Sequence, residues 1–457
     1  MIELDGITVS LPARSPRAKT ILDSISLAIR DGEWVAVTGP NGSGKSTLLA
    51  AMAGVCPVSA GRLRTEGKVG LLLQEPDNQF VSSSVRNELL LSMDPSLDRR
   101  AREARLTEAA ERFSLGAFLE RNPHRISGGE KQRLALATVW LAEPRVFLLD
   151  EPVSYLDPEE TARTVAFVRD LHRDGVTVVW ATPGGEDLRE ASRVIYLEQG
   201  RVLFDGSVER FEEEARAKGF DVLPAGDCEP ASARERPAVG GAVVSLRSVS
   251  FGYGDHEVIR GADADILERE VLGIAGKNGA GKSTLLSLAS GVLEPSRGTV
   301  ERRYARAVTR KPGGAEQNVF YLFQSPERLF FAESVLEEVA FGLSSLGVPR
   351  VESEGRAAEA LTLAGLDPGE FLDRSPFSLS LGEMRRAAFA MAYALSPKVL
   401  FLDEPASCLD RAGRAVLAGL VAALRSRGST IVTASHDARY LRATTDRVLT
   451  VQEGRVV

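Results

Sequence analysis

Residues 39–47 read Gly39-Pro40-Asn41-Gly42-Ser43-Gly44-Lys45-Ser46-Thr47, and residues 276–284 read Gly276-Lys277-Asn278-Gly279-Ala280-Gly281-Lys282-Ser283-Thr284. Both satisfy G-x-x-x-x-G-K-[ST], each placed after an apolar, strand-like run (Val35-Ala36-Val37 and Leu272-Gly273-Ile274) and before a helical one. Glycines at these places let backbone N–H groups close around a polyphosphate. The start of the following helix adds its positive dipole end, and the lysine neutralises β- and γ-phosphate charge. The hydroxyls of Ser46 and Ser283 are expected to ligate Mg²⁺. Two such stretches in the same context point to two ATP sites rather than to an idle glycine turn.

The repetition extends beyond these loops. Val146-Phe147-Leu148-Leu149-Asp150-Glu151 returns as Val399-Leu400-Phe401-Leu402-Asp403-Glu404, so the chain carries a duplicated domain and not a short solenoid repeat. Each of these runs reads as a buried strand ending in acid. There Asp150 or Asp403 can hold the Mg²⁺ water shell, and Glu151 or Glu404 can orient or deprotonate the attacking water. Short β-branched runs alternate with longer helical patterns such as Thr161–Val168, which predicts an α/β fold with a largely parallel sheet flanked by helices in each half. The expected organisation is a first domain over 1–220, a Pro/Gly-rich linker over 221–241 and a second domain over 242–457.

Composition narrows the function classes. The 457 residues are 44% hydrophobic and 26% charged, enough for two sizeable cores, and the net charge of -7 argues against stable binding to a nucleic-acid backbone. One basic stretch, Arg302-Arg303-Tyr304-Ala305-Arg306 with Arg310-Lys311, reads as a solvated loop or hairpin. No run is apolar enough to span a bilayer, and Met1–Asp5 lacks the pattern of an export signal, so a cytoplasmic location is expected. Cys56, Cys228 and Cys408 form neither a pairing framework nor a metal cluster, which fits a reducing compartment.

Between the phosphate loop and the acidic strand end of each half stand Ile126-Ser127-Gly128-Gly129-Glu130-Lys131-Gln132-Arg133 and Leu379-Ser380-Leu381-Gly382-Glu383-Met384-Arg385-Arg386. These resemble the signature motif of ATP-binding-cassette ATPases, the first more closely. Gln74 and Gln324 match that family's glutamine loop, and Asp157 and Asp410 look like the loop that couples its two sites. The resemblance covers essentially the whole chain. It implies two P-loop domains, each with a helical signature subdomain, ATP and Mg²⁺ as cofactors, Gln74 and Gln324 as further metal-site groups, and cassettes that meet head to tail. Each ATP would then lie between the phosphate loop of one cassette and the signature of the other, an intramolecular pseudo-dimer. Hydrolysis would release that clamp.

On that geometry the two sites are unequal. The family's switch histidine matches His436, but the same offset of 253 places Pro183 in the first half, and Leu188 and Leu441 keep that offset. Proline has no side-chain group to contact a γ-phosphate. Leu381 replaces the first glycine of the second signature, and Tyr253 offers an adenine-stacking ring where the first half has Ala13. All three departures fall in one composite site, that of Lys45, Asp150, Glu151 and Pro183 with Ser380, Leu381 and Gly382. The other joins Lys282, Asp403, Glu404 and His436 to Ser127, Gly128 and Gly129, and is expected to do most of the hydrolysis.

After Gln74 the chain runs Glu75-Pro76-Asp77-Asn78-Gln79-Phe80, and after Gln324 Ser325-Pro326-Glu327-Arg328-Leu329-Phe330. The first looks like the loop extension of energy-coupling-factor and cobalt-type importer ATPases, and Phe331–Gly342 also looks like that group. The resemblance implies peripheral attachment to the cytoplasmic face of the membrane, through an integral coupling subunit and a substrate-binding subunit, in uptake of a vitamin or transition-metal ion. A tandem sugar-importer ATPase, or a soluble cassette protein acting on ribosomes or nucleic acid, would share the phosphate loops. Ribosome-acting relatives are expected to carry a long charged helical arm between cassettes, where this chain has a short Pro/Gly-rich linker.

Overall fold

A computed structural model describes residues 1–11, 19–154, 156–184, 186–220, 240–254, 256–304, 319–407 and 409–457. Ala13, Tyr155, Cys228, Cys408, the basic positions Arg306, Arg310 and Lys311, and nearly all of the expected linker lie outside the described residues. The chain divides into two compact units, Met1–Gly226 and Asp227–Val457.

In the first unit the apolar runs pair as a six-stranded sheet in the order Val69–Leu72, Val146–Asp150, Thr177–Ala181, Trp34–Thr38, Arg193–Glu198, Arg201–Gly206. All neighbours are parallel except the last pair. The second unit repeats this order with Val319–Leu322, Val399–Asp403, Thr430–Ser435, Val271–Ala275, Arg447–Gln452 and Arg455–Val456. Strands covered on both faces read as continuous apolar runs, and Val146–Asp150, Thr177–Ala181 and Val399–Asp403 are buried throughout. Register then fixes the site: Asp403 pairs with Ala434, and Ser435 with Ala275, the residue before the phosphate loop. Three loops thus leave the carboxyl edge of the sheet side by side, where ligands of open α/β sheets bind.

Each unit also has a second sheet, of three antiparallel strands, that a largely parallel reading omits. Ile2–Leu11 lies between Lys19–Ile29 and Ala60–Thr65, and Ala242–Tyr253 between His256–Leu267 and Arg297–Arg302. Its inward residues Ile2, Leu4, Ile7 and Val9 pack with Leu48 and Leu49 of the phosphate-loop helix. The basic stretch is partly structural as well. Arg302 ends a strand, and its guanidinium donates to the carbonyls of Leu288 and Ala289 at the end of the second phosphate-loop helix.

The signature helices Gly128–Leu141 and Leu381–Leu395 bury an apolar face against short helices that follow the glutamine loops. Those short helices, Val85–Leu91 and Val335–Ser345, start at Ser84 and Ser334, whose hydroxyls accept from Asn87 N and Glu337 N. One turn in, a buried carboxylate fastens the loop. Glu88 accepts from Val81 N and Ser82 N at 3.1 and 2.7 Å, and Glu338 from Phe331 N and Ala332 N at 2.9 and 2.7 Å. Glu338→Ala leaves two inward amides without their acceptor and is expected to destabilise the second unit by about 2–4 kcal/mol, with Glu338→Gln costing clearly less. Equal shifts of the denaturation midpoint for the two variants would contradict this account.

Candidate active site

The phosphate loops are built by glycine. Gly44 and Gly281 sit at φ 104° and 106° as the N-caps of the helices Lys45–Met52 and Lys282–Ser290, a conformation that side chains rarely adopt. A Cβ on Gly39 would lie 1.9 Å from the carbonyl oxygen of Leu197. Within the first loop Lys45 Nζ donates to the carbonyls of Gly39 and Pro40 at 2.9 and 3.1 Å. Lys282 does the same with Gly276 and Lys277 at 2.9 and 3.2 Å. Both lysines are buried, so their charge is held at the loop rather than in solvent.

Beside each loop the acidic strand end supplies the partner chemistry. Asp150 and Asp403 have their carboxyls pushed up to about 6, foremost by burial. The hydroxyls of Ser46 and Ser283 and the loop lysines pull them back, while the adjacent glutamates push further up. Asp150 Oδ1 is buried without a hydrogen-bond partner, and Ser283 Oγ donates to Asp403 Oδ1 at 2.9 Å. A buried carboxylate short of donors next to a hydroxyl fits Mg²⁺, which takes one or two protein oxygens and completes its shell with water and phosphate. Among the described residues no group of three or more His, Cys, Asp or Glu could hold a metal without such help. When bound, the ion would neutralise phosphate charge.

The glutamates next in sequence are strained alike and partnered differently. Glu151 and Glu404 both adopt φ 46°, a left-handed conformation uncommon for a residue with a side chain, each with its amide bonded to the neighbouring strand at Ala181 O and Ala434 O. In the first unit, Gln74 Nε2 and Ser154 Oγ donate to the same Glu151 oxygen, Oε2, at 3.1 and 2.9 Å. In the second, Lys282 Nζ lies 3.3 Å from Glu404 Oε1, His436 N donates to Oε1 at 3.1 Å, and Ser435 Oγ donates to Oε2 at 3.0 Å. His436 Nδ1 is 3.1 Å from Oε2, at ion-pair distance but off the line of a hydrogen bond. Burial alone would raise the Glu404 carboxyl; His436, Lys282 and Ser435 together hold it below its usual range. A carboxylate kept ionised beside a lysine and a histidine can accept a proton from water.

Other expected site residues take clear places. Ser127 and Ser380 cap the signature helices, each in a reciprocal capping box with Glu130 or Glu383. A Cβ on Gly128 would meet nothing within 4 Å, whereas one on Gly129 would strike the Glu160 carboxylate and require that side chain to move, so the first position is the more open of the two. Leu381 is accordingly accommodated at the first helical position without a backbone clash. Asp157 and Asp410 cap the helices Pro158–Arg173 and Arg411–Ser426. Tyr253 ends a strand, half exposed, with its ring edge-on to Phe251 at 5.0 Å. Sequence reasoning missed Ser154, Ser435 and Arg385. Ser435 had a signal in its position directly before His436 and Ser154 in its recurrence as Ser407; Arg385 had none, since Gln132 stands at its place in the first half.

Comparison with known proteins finds relatives along the length of the chain. A family model described as ABC transporter matches residues 22–154 and 259–407. An ABC transporter ATP-binding protein of Bifidobacterium longum is 29% identical over 94% of this chain, which spans 62% of that relative's length. One of Methanosarcina mazei is 28% identical over all of this chain and 94% of its own. Among solved structures, a model of ribosome-bound archaeal Pelota and ABCE1 superposes with TM-score 0.73 at 21% identity, covering 99% of this chain and 78% of that one. An archaeal ribosome recycling factor in complex with a ribosomal stalk protein gives 0.67 at 22%, covering 99% and 89%. At those identities the likeness is one of fold.

Proposed function

The chain belongs to the ABC transporter family, as an ATP-binding ATPase with two cassettes, and on that premise we propose that it is the motor of an importer of the energy-coupling-factor type, hydrolysing ATP mainly at Glu404 and His436. Separate integral membrane subunits would carry the vitamin or transition-metal ion. Among the described residues no helix is long and apolar enough to cross a membrane, so the membrane path would belong to those partners.

The observation that carries the membrane reading is a matched pair of exposed apolar side chains beside each glutamine loop. Val81 and Leu91 are 82% and 66% exposed in the first unit, and Phe331 and Phe341 are 60% and 50% exposed at the same places in the second. The two phenyl rings meet edge to face at 4.7 Å. Large apolar groups left in water at the same positions of two duplicated domains suit an apolar partner helix. Residues next to Gln74 and Gln324 are also well placed to pass a partner's movement to the nucleotide.

Purification of the native chain from detergent-solubilised membranes tests the reading. Integral membrane proteins are expected to accompany it, and the double variant Phe331→Glu, Phe341→Glu is expected to lose them while still binding ATP. Recovery with ribosomes or nucleic acid and without membrane proteins would overturn it.

A further inference from the structure

We infer that Arg385 is a positioning residue that sets the direction of the Glu404 carboxylate, by drawing the hydroxyl of Ser407 away from it; the inference rests on Glu404 being the principal hydrolytic base. Arg385 lies in the second signature helix and is 2% exposed. Its Nη1 donates to the Glu404 carbonyl at 3.3 Å, to Ser407 Oγ at 2.9 Å and to the Ser407 carbonyl, and its Nη2 donates to the Gln324 carbonyl at 2.7 Å. One guanidinium therefore joins the signature helix, the glutamine loop, the hydrolytic strand end and the loop after it. The planar fork of arginine can span these acceptors at once, which a single ammonium cannot.

The first unit supplies the contrast. Gln132 stands at the matching position of its signature helix, and its Nε2 donates to the Pro152 carbonyl at 2.8 Å. There Ser154, the counterpart of Ser407, donates its hydroxyl to the Glu151 carboxylate. In the second unit Ser407 Oγ accepts from Arg385 and donates instead to the Glu404 carbonyl at 2.7 Å. The Glu404 carboxylate is left to Lys282, Ser435 and His436, on the side of the phosphate loop. A hydroxyl donated from the Ser407 side would pull the carboxylate toward the loop after the strand, so turning that hydroxyl to the backbone leaves the carboxylate aimed at the phosphate loop, where a reacting water must be met in line.

Steady-state hydrolysis by the full chain tests this, with kcat expressed per site that binds a non-hydrolysable ATP analogue. Arg385→Gln is expected to lower kcat about 10- to 100-fold, as a small misplacement at a reacting group does, with KM for ATP within about twofold. Arg385→Lys should lose less than Arg385→Gln. Adding Ser407→Ala to either should recover most of the loss, because no hydroxyl then remains to capture the carboxylate; a purely structural role would show no such recovery. Unchanged kcat in Arg385→Gln, failure of Ser407→Ala to restore it, or loss of analogue binding in both arginine variants would overturn the inference. Glu404→Gln, run alongside, separates the two ideas. If it keeps turnover, the assignment of the base fails and this inference with it; if it loses turnover while Arg385→Gln does not, only this inference fails.

Discussion

Glu404→Gln is expected to reduce ATP turnover by at least about 100-fold, the usual loss when a positioned general base is removed, whereas Glu151→Gln leaves a substantial part of it. The two glutamates share a backbone conformation and a place after a buried aspartate, so the difference must come from what surrounds each carboxylate. Among the described residues, Gln74 Nε2 and Ser154 Oγ donate to one and the same oxygen of Glu151. Glu404 faces the loop lysine and His436, which hold its carboxyl below the usual range in a buried position on the side of the phosphate loop. Pro183 gives the first unit no imidazole at the corresponding position. Replacing carboxylate by amide keeps shape and removes the proton acceptor, so ATP binding should survive in both variants. Equal losses of kcat from the two substitutions would sink the asymmetry.

The phosphate loops were legible because their chemistry is local: the glycines, lysine and serine act through backbone turned within nine residues. The inequality of His436 and Pro183 was legible because a duplicated chain supplies its own alignment. The surroundings of the glutamates were not, since they depend on which of several serines turns toward a carboxylate. Ser154 and Ser407 are identical in type and place, yet they donate to different atoms, and the cause lies 22 residues upstream in sequence at position 385. The antiparallel sheets were half legible. Alternation in Ile2–Leu11 marks a strand with one buried face, but its pairing with Ala60–Thr65 joins segments more than fifty residues apart that carry no mutual signal.

Asp403→Asn is expected to move stability and activity in opposite directions. Below its ordinary value of 3.8 the Asp403 carboxyl is protonated in folded and unfolded chains alike; between there and about 6 only the folded state keeps the proton. The nucleotide-free protein therefore loses stability as pH rises through that window, and at neutral pH the buried charge costs on the order of 3 kcal/mol. An amide removes that cost while its oxygen can still accept from Ser283 Oγ, so the apo melting temperature at pH 7.5 should rise by several degrees. Asp150, raised to about 6 in the same way, leaves roughly half of the pH dependence in place. Turnover should fall at least about 100-fold, because a neutral amide replaces the carboxylate that would anchor Mg²⁺ beside Ser283. The extra thermal stabilisation that MgATP confers over ATP with a chelator should shrink accordingly. A melting temperature that drops without nucleotide, or turnover that persists, would mean that Asp403 is held for packing rather than for the ion.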